Sequence, residues 1–271
     1  MSRWSKFLLA ARALPKVWFV RIALIAMLLI FAIIVLSLLR QKSMMADDTV
    51  HIPSGYSYVI TNYFRLNQEH PPFIKILSGL GLFRVRPELP LNSEGWQKAE
   101  QPGDPEDGTD SFSDDFFNRN AGKYEQIIFW GRAPVIILPL LLALAVWALT
   151  KELFGETAAL LAVLLLLSEP NVIGNSTIVQ DDLAAALAVF LFVITLRSYL
   201  KSPSVKHALS LGFVVGLALL IKHSLVVLVP ISFVILLIHA GWQKLKHRNH
   251  LCRFISLGLL VLFCSYIILI A

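Results

Sequence analysis

The chain has 271 residues, of which 56% are hydrophobic and only 15% charged, and its mean hydropathy is +0.69. That balance excludes a soluble globular domain and leaves an all-α integral membrane protein. The formal net charge of +6 follows where basic residues flank apolar runs, so it gives no reason to expect nucleic acid as a partner.

Seven apolar runs are expected as transmembrane helices, at residues 17–39, 127–149, 157–168, 183–200, 205–221, 224–240 and 254–271. The third is shorter than the ~17–25 residues a span needs. The fifth and sixth must be separate, because one helix over both would reach about 54 Å across a hydrocarbon core of about 30 Å. The first run is too long for a signal peptide and has no small-residue cleavage site, so it is expected to stay as an anchor. Cys252 and Cys264 lie on the last run, separated by about 18 Å of helical rise, too far for a disulfide.

Charge sets the expected orientation. Arg3, Lys6, Arg12, Lys16 and Arg21 mark the start of the first run. Lys151 follows the second, Arg197, Lys201 and Lys206 the fourth, and Lys244, Lys246, Arg248 and Arg253 the sixth. These segments are cytoplasmic by the positive-inside rule, with the N-terminus inside. Of 18 acidic residues only Glu152 and Glu156 then fall on the inner side.

The chain divides into a cytoplasmic N-terminus with the first helix (1–40), a non-cytoplasmic loop (41–126), and a six-helix region (127–271). The loop is uneven. Residues 47–66 mix Tyr56, Tyr58, Tyr63 and Phe64 with polar groups, as expected at headgroup depth. Residues 73–83 (FIKILSGLGLF) are apolar but too short to span, and are expected as an interfacial helix started by Pro71-Pro72. Residues 87–115 are rich in Pro, Gly and Asp and are expected as a surface loop. The chain stops inside an apolar run: either the last helix ends at the membrane surface or, as favoured here, this is the N-terminal part of a longer protein.

Two acidic pairs stand at run ends predicted to share one face: Asp47-Asp48 and Asp181-Asp182. An aspartate at the bilayer centre costs ~2.5–3.5 kcal/mol on insertion scales, so such pairs belong at an interface or in a polar cavity. Asp47-Asp48 is either a solvated helix end or a general base with a second carboxylate for metal or acceptor. Asp181-Asp182 has an N-cap role to offer, which accounts for one of the two. In Asn67-Gln68-Glu69-His70-Pro71-Pro72 the prolines push His70 out of helical backbone. That segment is a rigid turn, or it holds Glu69 and His70 over a cavity. Arg132 and Lys222 are cations on the same expected side. Arg132 alone is commonly a snorkelling residue, but together they suit a phosphate. No HExxH, P-loop, GxGxxG or Cys/His cluster is present.

These segments resemble a known family. DDTVHIPSGYSYVITNYFRLNQEHPPFIKIL (47–77) is similar to the first outer loop of GT-C glycosyltransferases of the protein mannosyltransferase and aminoarabinose-transferase-like branch. There an acidic pair follows the first span and His-Pro-Pro precedes an apolar segment. The block 131–187, with Arg132, Leu153-Phe154-Gly155 and Asp182, resembles the next block, and GLALLIKHSLVVLVP (216–230) its Lys-x-Ser hairpin. The resemblance implies a polyprenyl-phosphate-linked sugar donor, a membrane-lipid partner, and an acceptor on the non-cytoplasmic face that is a protein, lipid or glycan. It makes Asp47 the base for inverting attack, gives Asp48 and Asp182 the other catalytic positions, and leaves Glu69, His70, Arg132, Lys222 and Asp181 for substrate. A divalent cation, with Asp48 as a ligand, is compatible with it but not required. Two departures stand out: Asp48 replaces a Glu, and Asn175-Ser176-Thr177 replaces His-Gly-Arg and removes a cation. The resemblance leans toward a bacterial inner membrane. The alternative to an enzyme is a non-catalytic subunit that retains the fold.

Overall fold

The computed structural model describes residues 3–99 and 105–245. Every regular element among them is helical: α1 (Arg3–Leu39), α2 (Ala46–Thr61), α3 (Phe73–Gly81), α4 (Glu94–Lys98), α5 (Pro105–Arg119), α6 (Tyr124–Arg132), α7 (Ile137–Phe154), α8 (Glu156–Ser168), α9 (Pro170–Asn175), α10 (Asp182–Lys201), α11 (Val205–Ile221) and α12 (Leu228–Leu245). The expected run 254–271, with both cysteines and the basic residues beyond Leu245, lies outside the described residues.

Among the described residues, three helical stretches are long and apolar enough to cross a membrane: Trp18–Leu39, Ala121–Phe154 and Asp182–Lys201. Glu156–Ser168, Val205–Ile221 and His223–His239 are apolar but shorter. Large side chains such as Phe19, Ile33, Leu165, Phe213 and Ile238 point outward from these helices, as lipid-facing surfaces require. The stretch Ala121–Phe154 is not one smooth helix. A 3₁₀ segment, Ala133–Ile136, with Pro134 near its start, joins α6 to α7, because proline removes a backbone donor and disrupts the regular ladder. Gly155 ends α7 at a φ of 89°, a conformation an L side chain resists.

One core joins α2, α3, α6, α7, α10 and α11 through Ile52, Ile74, Ile127, Leu138, Leu183 and Leu211. A second joins α1 to α7 and α8 through Phe31, Val35, Ala143 and Val163. At one end of this bundle Glu152 accepts from Arg197 at 2.7 Å and Lys201 at 2.6 Å. The opposite end carries α2 and α3.

The loop expectations are met unevenly. The apolar segment after Pro72 is helical, as α3 followed by a 3₁₀ turn at Leu82–Arg84. Residues 87–115 are not simply a surface loop: α4 and α5 occupy much of that span. Phe112 and Phe116, four residues apart on one helical face, are fully buried, and Trp96 packs on Phe112 at a ring separation of 5.5 Å. Burial of that apolar stripe outweighs the poor helix propensity of the flanking Gly and Asp residues.

The crossing of α2 and α3 fixes the two helices that carry Asp47, Asp48 and Lys75. Gly55 and Gly79 face each other there. A Cβ on Gly55 would fall on the carbonyl of Lys75, and one on Gly79 would fall on the carbonyl of Gly55. The two backbones therefore touch directly, which only glycine permits.

Candidate active site

The first turn of α2 begins the site. Asp47 and Asp48 occupy its first positions, where free N–H groups and the helix dipole favour carboxylates. Successive helical residues point about 100° apart, so the two side chains part ways. Asp48 is fully buried and Asp47 is exposed.

Asp48 is saturated. Its Oδ2 accepts from Arg132 Nη2 at 2.6 Å and Nε at 3.2 Å and from the Met45 amide at 3.0 Å, and its Oδ1 accepts from the Val179 amide at 2.8 Å. Arg132 is likewise inaccessible: it also donates to the carbonyls of Lys42 at 2.9 Å and Ser43 at 2.8 Å. The expected assignments of these two residues change accordingly. Arg132 is engaged with Asp48 and with the segment just after α1, and three of the four bonds to Asp48 fall on Oδ2, with one on Oδ1. Among the described residues, no three His, Cys, Asp or Glu side chains converge as a metal site.

His51, one turn beyond Asp47-Asp48 on α2, donates from Nδ1 to the Val179 carbonyl at 2.6 Å. Asp48 and His51 thus grip both sides of one residue in the turn before α10, more than 120 positions away. That grip brings the late aspartates to α2. Burial, as the largest influence, pulls the His51 imidazole below its ordinary value and keeps it neutral, and the bond to the Val179 carbonyl fixes the Nδ1–H tautomer.

Asp181 and Asp182 also divide. Asp181 is buried and stands at the helix start without a side-chain capping bond, so the expected N-cap contact is not made. Its Oδ2 lies 3.8 Å from His70 Nε2, and its Oδ1 has no hydrogen-bond partner, nor does His70 Nδ1. Burial pushes the Asp181 carboxyl up, against the opposing pull of His51, His70, Lys75 and Lys222. Asp182 is exposed and accepts from Lys222 Nζ at 2.8 Å. That bond, with Asp181 and Asp47 also acting, raises the Lys222 ammonium above its ordinary value. The early and late aspartates therefore share one electrostatic neighbourhood. Lys222 is committed to Asp182 and Arg132 to Asp48, so the two expected phosphate ligands are not paired with each other.

Asp47 lines a cleft of about 410 Å³ with Asn67, Gln68, Glu69, Thr109 and Asp110. Glu69 is exposed there, 3.9 Å from His70 Nε2. Nearby, Lys42 donates to Thr177 Oγ1 at 3.0 Å and to the Gly174 carbonyl at 3.4 Å.

His51, Lys75, Lys42, Thr109 and Asp110 were not legible as site residues. For His51 the signal was its spacing of three from Asp48, which places both on one helical face. For Lys75 it was the presence of an ammonium within an apolar segment, an expensive choice without polar partners.

Residues 125–268 match the family described as dolichyl-phosphate-mannose-protein mannosyltransferase. No curated protein matches the chain, and no solved structure does. The matched residues include Arg132, Val179, Asp181, Asp182 and Lys222, while Asp47, Glu69 and His70 precede them and join them through the Asp48 and His51 bonds. The chain is an integral membrane glycosyltransferase of the GT-C type and belongs to the dolichyl-phosphate-mannose-protein mannosyltransferase family.

Proposed function

We propose that the protein transfers a sugar from a polyprenyl-phosphate donor to an acceptor hydroxyl at the non-cytoplasmic face of a bacterial inner membrane, with inversion and with Asp47 as the general base. The accompanying topology is seven crossings with the N-terminus inside and residues 41–126 outside. The observation that carries the reading is the contrast within the first acidic pair. A base needs a free carboxylate within reach of the hydroxyl. Asp47 lines an open cleft, whereas Asp48 has its oxygens filled by Arg132 and two amides.

In this mechanism the acceptor oxygen attacks the anomeric carbon from the face opposite the phosphate. The hydroxyl proton passes to Asp47 as the bond from anomeric carbon to phosphate oxygen breaks. The lipid phosphate leaves with the bonding electrons. Lys222, an ammonium held by Asp182 yet partly accessible, is the cation nearest in character to what that leaving group needs. Asp182 keeps Lys222 in place, and Glu69 and His70 border the acceptor side. Asp48 and Arg132 act as positioning residues that fix the start of α2.

The test is sugar transfer by the reconstituted full chain with a polyprenyl-phosphate sugar. Asp47→Asn should lower turnover by about 10²–10⁴-fold, the contribution usual for a positioned base. Transfer unchanged by that substitution removes Asp47 from the mechanism, and a wild-type chain that transfers nothing favours a non-catalytic subunit.

A further inference from the structure

Lys75 is 1% exposed and sits on α3, in a segment otherwise apolar. A buried ammonium is expensive unless its donors are met. Here one turn meets two of the three: Nζ donates to the carbonyls of Asn67 and of His70, the latter at 2.7 Å. Those carbonyls bracket the residues that wall the cleft beside Asp47. The turn departs from ordinary backbone, with Asn67 at a φ of 46°, a region where Asn is tolerated better than most residues. The Asn67 amide donates to Thr109 Oγ1 on α5 at 2.8 Å. The Gly55–Gly79 contact fixes α3 against α2 at the level of the Lys75 carbonyl, so the ammonium starts from a rigid base.

We propose that Lys75 is a positioning residue: its buried ammonium ties both ends of the 67–70 turn and thereby sets where Asn67, Gln68 and Glu69 stand relative to Asp47. Apolar packing alone would be served by Leu or Met at this position. A cation is needed because two carbonyl groups must be held at one point, and an ammonium supplies three donors on a flexible stem. Burial lowers the Lys75 pKa to about 8, with Asp181 and Glu69 opposing. It is therefore charged at neutral pH, when the bonds are strongest.

The role assigned to the turn rests on the transferase reading, so the experiment has two arms in the reconstituted full chain. Hydrogen exchange is measured in peptides covering residues 66–70, and sugar transfer is measured in parallel. Lys75→Met should speed exchange at 66–70 by about tenfold or more, leaving α2 and α3 at wild-type rates. Lys75→Arg, which keeps a cation, should retain part of the protection. Transfer by Lys75→Met should fall about 100-fold, mainly in kcat. Unchanged exchange at 66–70 in Lys75→Met overturns the proposal, as does an equal rise throughout α2 and α3. Should that variant not fold, Lys75→Gln is read by the same criteria. A wild-type chain without transfer activity defeats the functional reading, while the exchange arm still decides the tie.

Discussion

The two aspartate pairs look alike in the sequence and are built differently. Each has one buried and one exposed member. In the first pair the buried Asp48 is fully bonded, to a guanidinium and two amides. In the second the buried Asp181 has an oxygen without a partner and a histidine at 3.8 Å. The exposed members differ as well: Asp182 is tied to Lys222, whereas Asp47 borders an open cleft. The difference teaches that burial by itself does not mark a catalytic carboxylate. A saturated buried carboxylate holds structure, an under-bonded one shifts its proton affinity, and the open one stays accessible.

The sharpest way to break this comparison is to unpair the saturated side. Arg132→Met leaves Asp48 buried without its cation and should destabilise the protein by ~3–5 kcal/mol. The double substitution Asp48→Asn with Arg132→Met should recover a large share, and a double-mutant cycle on thermal unfolding measures the coupling. Additive losses would mean the two residues do not act as a unit.

A smaller loss is expected at the helix crossing that carries Lys75. Gly55→Ala places a methyl group on the Lys75 carbonyl, and overpacking of this kind costs about 1–3 kcal/mol. Its exchange signature should spread over both α2 and α3, unlike that of Lys75→Met. Identical exchange patterns in the two variants would show that the crossing and the tie are one structural effect.

The smallest effect tests the under-bonded side. Burial raises the Asp181 carboxyl above its ordinary value of 3.8, so the folded state holds this proton more tightly than the unfolded chain. Its contribution to stability is full below pH 3.8 and is lost as pH rises from there through the raised folded value. Asp181→Asn removes that loss. The variant should gain melting temperature on the wild type as pH increases through this window. A constant difference at every pH would show that Asp181 titrates normally.

Much of the scaffold was legible in the sequence. The apolar runs beginning at 17, 127, 157, 183, 205 and 224 all lie in helices, and the Pro-Pro pair does precede α3. These features are local, set by hydropathy and backbone restriction. The helices within 87–115 were hidden because their stability comes from Phe112, Phe116 and Trp96 meeting apolar partners, not from propensity. Within the site, adjacent aspartates carry no local sign of which will be buried. That is decided by Arg132, 84 positions away, and by the backbone of Val179. Lys75 was hidden for the same reason, since its partners are carbonyls, which every sequence has.

The division of labour inside the first pair is tested most directly by the melting of Asp47→Asn and Asp48→Asn prepared side by side in the same lipid. Asp47→Asn should unfold within a degree or two of the wild type, since an exposed substitution moves stability by about 0.5 kcal/mol or less. Asp48→Asn should unfold well below both, because it leaves Arg132 buried beside a neutral partner. Equal melting of the two variants, or a marked loss in Asp47→Asn alone, would contradict the account.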